Sequence, residues 1–142
     1  MRVGVDLGGT KIEAVVLDGD SAVIARQRMP TPRDSYHAIL DTITALIAAV
    51  EQEVGATSLP VGIGTPGSLS PRTGRLRNSN TVVMNGQPFV DDIQQRLGRQ
   101  VRIANDANCL TLSEASDGAA AGCSVVFGVI LGTGCGAIGR LG

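Results

Sequence analysis

Apolar positions fall into short blocks along the chain, and their spacing changes from block to block. Val3 to Leu7 reads as a buried strand that carries an acid, Asp6, near its end. Lys11 to Leu17 is rich in β-branched and small apolar residues, and Ser21 to Met29 is a third strand candidate. Gly8-Gly9-Thr10 and Asp18-Gly19-Asp20 supply turns between them, so the three predict an antiparallel meander. Pro30 and Pro32 stop it. The period then lengthens: Ile39, Ile43, Leu46, Ile47, Val50 and Val54 line one helical face. Asp34 can cap this helix, and Gly55 closes it.

Leu59 to Thr65 predicts the next strand, and residues 66–88 a long loop rich in Gly and Pro. An ordered loop of that length is more often functional than idle. Phe89 to Leu97 predicts a short helix ended by Gly98, and Val101 to Ala104 a strand. Asn105-Asp106-Ala107-Asn108 opens an Ala-rich helix to about Asp117, and Ser124 to Leu131 is a strongly apolar strand. A second glycine turn, Gly132-Thr133-Gly134-Cys135-Gly136, follows it. The strand, turn and return strand of residues 3–17 thus recur at residues 125–142, as two domains of one design would produce. The fold class is α/β. The expected domains are residues 1–122, ordered β-β-β-α-β-α-β-α, and residues 123–142, the start of a second domain.

Composition narrows the function classes. The 142 residues are 43% hydrophobic and 18% charged, which is globular, and aromatics make up 2%. A base-stacking platform for single-stranded nucleic acid has almost nothing to stack on. Twelve basic residues oppose 13 acidic ones, so the cationic field that nucleic acid or an anionic membrane attracts is lacking. No run reaches the ~18 apolar residues of a membrane span. Cys109, Cys123 and Cys135 form no C-x-x-C pair and read as reduced, inert thiols of a cytoplasmic protein.

Four segments carry candidate chemistry. In Asp6-Leu7-Gly8-Gly9-Thr10-Lys11 the glycines let backbone N–H groups approach a phosphate. Thr10 adds a hydroxyl, Lys11 adds charge, and Asp6 can hold Mg²⁺ through water. The plain alternative is a tight hairpin. Gly132, Thr133, Gly134 and Gly136 form a similar turn, and two such hairpins facing each other would clamp a polyphosphate. Asn105-Asp106 stands between a strand and a helix, where Asp106 either caps the helix or takes a proton from a substrate hydroxyl. Gly62 to Ser68, followed by Asn78-Ser79-Asn80, is either a loop of breakers or a sugar-binding loop. Arg72, Arg75 and Arg77 read as a solvated loop face, His37 as a surface residue, and Glu13 offers no evident partner.

Together these segments resemble the ROK (repressor, open reading frame, kinase) family of sugar kinases. Within that family, Pro30 to Asp34, Asn85 to Phe89 and Asp117 to Gly122 look most similar to bacterial fructokinases. The resemblance implies an actin-like, ribonuclease-H-like fold with two domains around a cleft. It implies transfer of the ATP γ-phosphate, with Mg²⁺, to a hexose 6-hydroxyl, fructose first among the hexoses. Asp106 matches the general base; Gly67, Ser68, Asn80, Asn105 and Asp106 match sugar contacts. Asp6, Gly8, Gly9, Thr10, Lys11 and the Gly132 to Gly136 turn match the phosphate loops. Family members are longer, so the resemblance implies that most of the nucleotide domain and a structural zinc site lie beyond this chain. This chain alone is then expected to be inactive, with a noncatalytic sugar-binding module as the alternative. A family repressor would need an N-terminal helix-turn-helix, for which a start at Met1 is expected to leave no room. The apolar strand Ser124 to Leu131 predicts association with a second copy, a homodimer.

Overall fold

The computed structural model describes residues 1–105 and the backbone of two later strands, 125–131 and 135–141. The chain divides into two units, Met1–Ala104 and Asn105–Gly142. The expected boundary near residue 122, the helix to Asp117, and Cys109 and Cys123 lie outside the described residues.

The first unit is built on a sheet ordered β3-β2-β1-β4-β7. Strands β1 (Arg2–Leu7), β2 (Lys11–Leu17) and β3 (Val23–Pro30) form the predicted antiparallel meander. Strand β4 (Val61–Thr65) runs parallel to β1, and β7 (Val101–Asn105) lies on its far side. Register explains the buried face. Val3, Val5 and Leu7 stand opposite Val16, Ala14 and Ile12 on β2, and Val3 and Val5 opposite Val61 and Ile63 on β4. All of these side chains are buried. A period of two thus becomes one continuous apolar face.

Helix α1 (Tyr36–Glu53) covers that face with Ile39, Leu40, Ile43, Leu46, Ile47 and Val50. Its cap is Ser35 rather than the expected Asp34: the Ser35 hydroxyl accepts from the Ala38 N–H at 3.2 Å. The chain leaves extended geometry at Ser35, so only that side chain stands one turn below the third helical amide. Gly55, at φ 67°, ends the helix as predicted. Its N–H donates to Gln52 O and that of Ala56 to Glu51 O, the paired bonds of a Schellman motif. Helix α2 (Phe89–Leu97) adds buried Phe89 and Ile93 and ends at Gly98 with φ 65°.

The long loop is more ordered than its composition predicts. Ser68–Leu69 (β5) and Leu76–Arg77 (β6) pair antiparallel, and a 3₁₀ turn follows at Val82–Met84. Two-residue strands leave no periodicity to read; Leu76 of β6 and Met84 of the following turn are buried in the core. In the second unit, β8 (Val125–Leu131) and β9 (Cys135–Leu141) pair antiparallel with Leu131 opposite Cys135. This is the return strand expected from the echo of residues 3–17.

Candidate active site

Parallel pairing sets Asp6 at the end of β1 beside Gly64 on β4. The Thr65 hydroxyl, at the end of β4, donates to the Ala104 carbonyl on β7 at 3.4 Å. The carboxyl ends of β1, β4 and β7 therefore share one margin, the place where sheets of this kind bind ligands. Asn105 is the last residue of β7. Asp106 follows it in sequence but lies outside the described residues, as do Gly132, Thr133 and Gly134; Gly136 is placed only as part of β9.

The turn after β1 is tight. Gly8 N–H donates to Lys11 O at 3.0 Å, and a Cβ on Gly8 would stand 2.8 Å from that same oxygen. Only glycine closes the turn without displacing backbone. Thr31 braces it from the side: its N–H donates to Thr10 O at 2.9 Å and its hydroxyl to Gly8 O at 2.8 Å. Thr10 and Lys11 remain exposed. Glu13 has neighbours after all, with Lys11 at 4.0 Å and Arg26 at 3.8 Å. Both contacts are long and solvent-facing, so neither immobilises Lys11.

The loop brings its candidate residues together. Gly67 has φ 87°, and a Cβ there would meet Arg77 O at 2.5 Å and Ser79 N at 2.9 Å. The segment 66–68 thus lies directly against 77–79, which places Gly67 and Ser68 close to Asn80. Asn80 is exposed while its neighbours Ser79 and Thr81 are buried. Asn85 holds this segment at both ends of one peptide pair. Its Oδ1 accepts from Ser79 N at 2.8 Å, and its Nδ2 donates to Ser79 O at 3.0 Å.

The sequence gives no sign of the roles of three residues of this margin: Thr31 and Asn85, which lie in the segments 30–34 and 85–89, and Thr81. Thr31 lies between two prolines and Asn85 before a glycine, patterns that mark turns without saying what the side chains hold. Arg72, Arg75 and Arg77 are exposed as read, although the Arg75 guanidinium also donates to Gly86 O. His37 is exposed, 3.4 Å from Arg96.

Among the described residues no group of three or more His, Cys, Asp and Glu side chains could hold a metal ion. Mg²⁺ asks for less, because one carboxylate can suffice where phosphates and waters fill the remaining positions. Asp6, exposed beside the glycine turn, fits that role. Among the described residues no helix is long and apolar enough to cross a membrane.

The ROK family pattern matches residues 2–139. The chain is 45% identical over 136 residues to an N-acetyl-D-glucosamine kinase of Escherichia coli O139:H28. That match covers 96% of this chain and 45% of the relative, so the chain spans under half the length of such relatives. Among solved structures it is similar to a ROK family glucokinase from Streptomyces griseus in complex with glucose and AMPPNP, at TM-score 0.84 and 32% identity. The alignment covers 96% of this chain and 43% of that one. It is equally similar to a ROK hexokinase from Thermus thermophilus, at TM-score 0.84 and 34% identity over 99% and 47% of the two chains. These neighbours have the actin-like ATPase fold, and the expected fold class holds.

Proposed function

The chain belongs to the ROK family, and on that footing we propose that it forms the sugar-side part of an ATP-dependent kinase acting on a hexose 6-hydroxyl. The observation that carries this reading is the shared margin at the ends of β1, β4 and β7. There the glycine turn follows β1 and β7 leads to Asp106, both strands of one sheet, while the loop that carries Gly67 and Asn80 leaves the end of β4. In-line phosphoryl transfer asks mainly for positioning and charge stabilisation. Amides of the Gly8 to Lys11 turn bind phosphate oxygens, with the Gly132 to Gly136 turn as their counterpart. Gly67, Ser68, Asn80 and Asn105 orient the sugar, and Asp106 accepts the proton of the attacking hydroxyl. Mg²⁺, when bound, neutralises charge on the phosphates, and Asp6 would hold it through water.

Fructose is the proposed hexose, on the strength of the segments 30–34, 85–89 and 117–122. A second reading, N-acetylglucosamine, is favoured by the 45% identity to kinases of that sugar. A coupled ADP-release assay on a full-length protein with fructose, mannose, glucose and N-acetylglucosamine decides between them by kcat/KM. The 142-residue chain alone should bind sugar with negligible turnover, because its relatives carry more than half their length beyond the matched part. Turnover by the chain alone near ~1–100 s⁻¹, the usual kinase range, would overturn that expectation.

Asp106→Asn separates base from cap, since Asn caps a helix as well as Asp. In the full-length protein it should lower kcat at least ~100-fold with a much smaller change in sugar Kd. An unchanged kcat would leave Asp106 with the capping role alone.

A further inference from the structure

One buried polar group at this margin is unexplained by the fold. Thr81 is 2% exposed, and among the described residues its hydroxyl has no hydrogen-bond partner. A buried hydroxyl left unpaired is costly, and an isosteric Val would avoid the cost. The hydroxyl also faces a particular place. A Cβ built on Gly9 would stand 3.9 Å from Thr81 Oγ1, and it is the nearest atom to that position. No side chain separates the hydroxyl from the glycine turn. Gly9 has no left-handed φ and no backbone clash that would demand glycine. The open space on the Thr81 side is what a larger residue would take away.

Thr81 is also fixed to the sugar loop. Its N–H donates to Ser79 Oγ at 3.2 Å, and the Asn85 amide holds Ser79 by two further bonds. A shift at Thr81 is therefore carried to Asn80, which lies between two anchored residues.

We propose that Thr81 is a positioning residue that couples the sugar loop to the phosphate turn: its hydroxyl gains a hydrogen bond from the Gly8–Gly9 turn when a phosphoryl group is seated there. The inference deepens the kinase reading and rests on it. Among the described residues the hydroxyl is unsatisfied, and the hydrogen bond gained from the turn would recover that cost. Nucleotide and sugar then favour each other's binding through one short contact, and such coupling is reciprocal.

The test measures the Kd of AMPPNP on the full-length chain with and without saturating fructose or N-acetylglucosamine, together with the melting temperature without ligand. In the wild type, sugar should tighten AMPPNP binding by about fivefold or more. Thr81→Val should raise the ligand-free melting temperature by about 2–8 °C, since it removes an unpaired buried hydroxyl. The same variant should bring the coupling to within about twofold of none, while the sugar Kd measured alone stays near the wild-type value. Thr81→Ser, which keeps the hydroxyl, should restore the coupling. Wild-type coupling in Thr81→Val overturns the proposal. So does a lowered melting temperature with coupling lost in Val and Ser alike, the signature of a packing role. A wild type that binds neither ligand overturns the kinase reading and this proposal with it; the other two outcomes leave the kinase reading standing.

Discussion

Two neighbouring glycines of the phosphate turn do different work. Gly8 is required by sterics, because its Cβ would press on the Lys11 carbonyl, a backbone atom that cannot rotate away. Gly9 has room for a methyl group, with Thr81 Oγ1 the nearest atom at 3.9 Å. Gly8→Ala should therefore cost about 1–3 kcal/mol in urea unfolding, the usual cost of overpacking, and Gly9→Ala should change stability little. Equal losses in the two variants would refute this division. Thr31 belongs to the same turn, since its two hydrogen bonds to Thr10 O and Gly8 O tie the end of β3 to the phosphate loop.

At the scale of elements, polar clamps fix the helices over the sheet. The Arg99 guanidinium donates to both Glu51 oxygens, at 2.7 and 3.0 Å, and to Leu59 O at 3.1 Å. Leu59 N–H donates to Glu51 Oε1 at 2.8 Å. One ion pair thus joins the end of α1, the approach to β4 and the segment after α2. Burial alone would push the Glu51 carboxyl up, but the hydrogen bonds from Arg99 and Leu59 outweigh it and hold the group below its ordinary value. A carboxylate held low in the folded state adds stability above its unfolded pKa of about 4.3, and loses it as pH falls through the folded value. Arg99→Met should cost about 1–3 kcal/mol at pH 7, by leaving a nearly buried carboxylate without its donor. The gap between wild type and variant should narrow as pH falls below about 4. A gap that does not change with pH in equilibrium unfolding would contradict this account. On the other flank, burial and the 2.7 Å bond from the Tyr36 hydroxyl to Asp92 raise the Tyr36 pKa, and Arg96 pairs with Asp41. Both contacts lock α2 against α1.

At the scale of the molecule, the two units differ in how much of their sheet is closed. In Met1–Ala104 five strands carry a helical layer, whereas β8 and β9 pair only with each other among the described residues. A two-stranded ribbon is marginal alone, and β8 reads Val-Val-Phe-Gly-Val-Ile-Leu along its length. Open strand edges of that composition seek a partner. The chain should therefore form a dimer or larger species at tens of micromolar by sedimentation velocity, and a clean monomer there would contradict the expectation. The comparisons act at this scale too. They match nearly all of this chain to under half of each kinase.

The sequence by itself determined the elements whose signal is local and periodic. The meander of β1 to β3, the helical stripe from Ile39 to Val54 with Gly55 after it, and the α2–Gly98 pair follow from side-chain period and from left-handed glycines. It also located the turn at Gly8 to Lys11 and the exposed Asn80, because glycine pairs and Asn-rich loops mark such places without tertiary help. Tertiary structure decided what depends on residues distant in sequence. The ribbon of β5 and β6 brings Leu76 into the core beside the buried Met84 of the next turn, and no two-residue strand announces itself. Ser35 caps α1 because of where the chain enters the helix, a choice between adjacent capping residues that composition leaves open. The bracing of Gly8 by Thr31, the hold of Asn85 on Ser79, and the Thr81 hydroxyl facing Gly9 across 72 residues of chain all arise from packing. Their partners are set by which strands lie side by side, and a linear pattern carries no record of that adjacency.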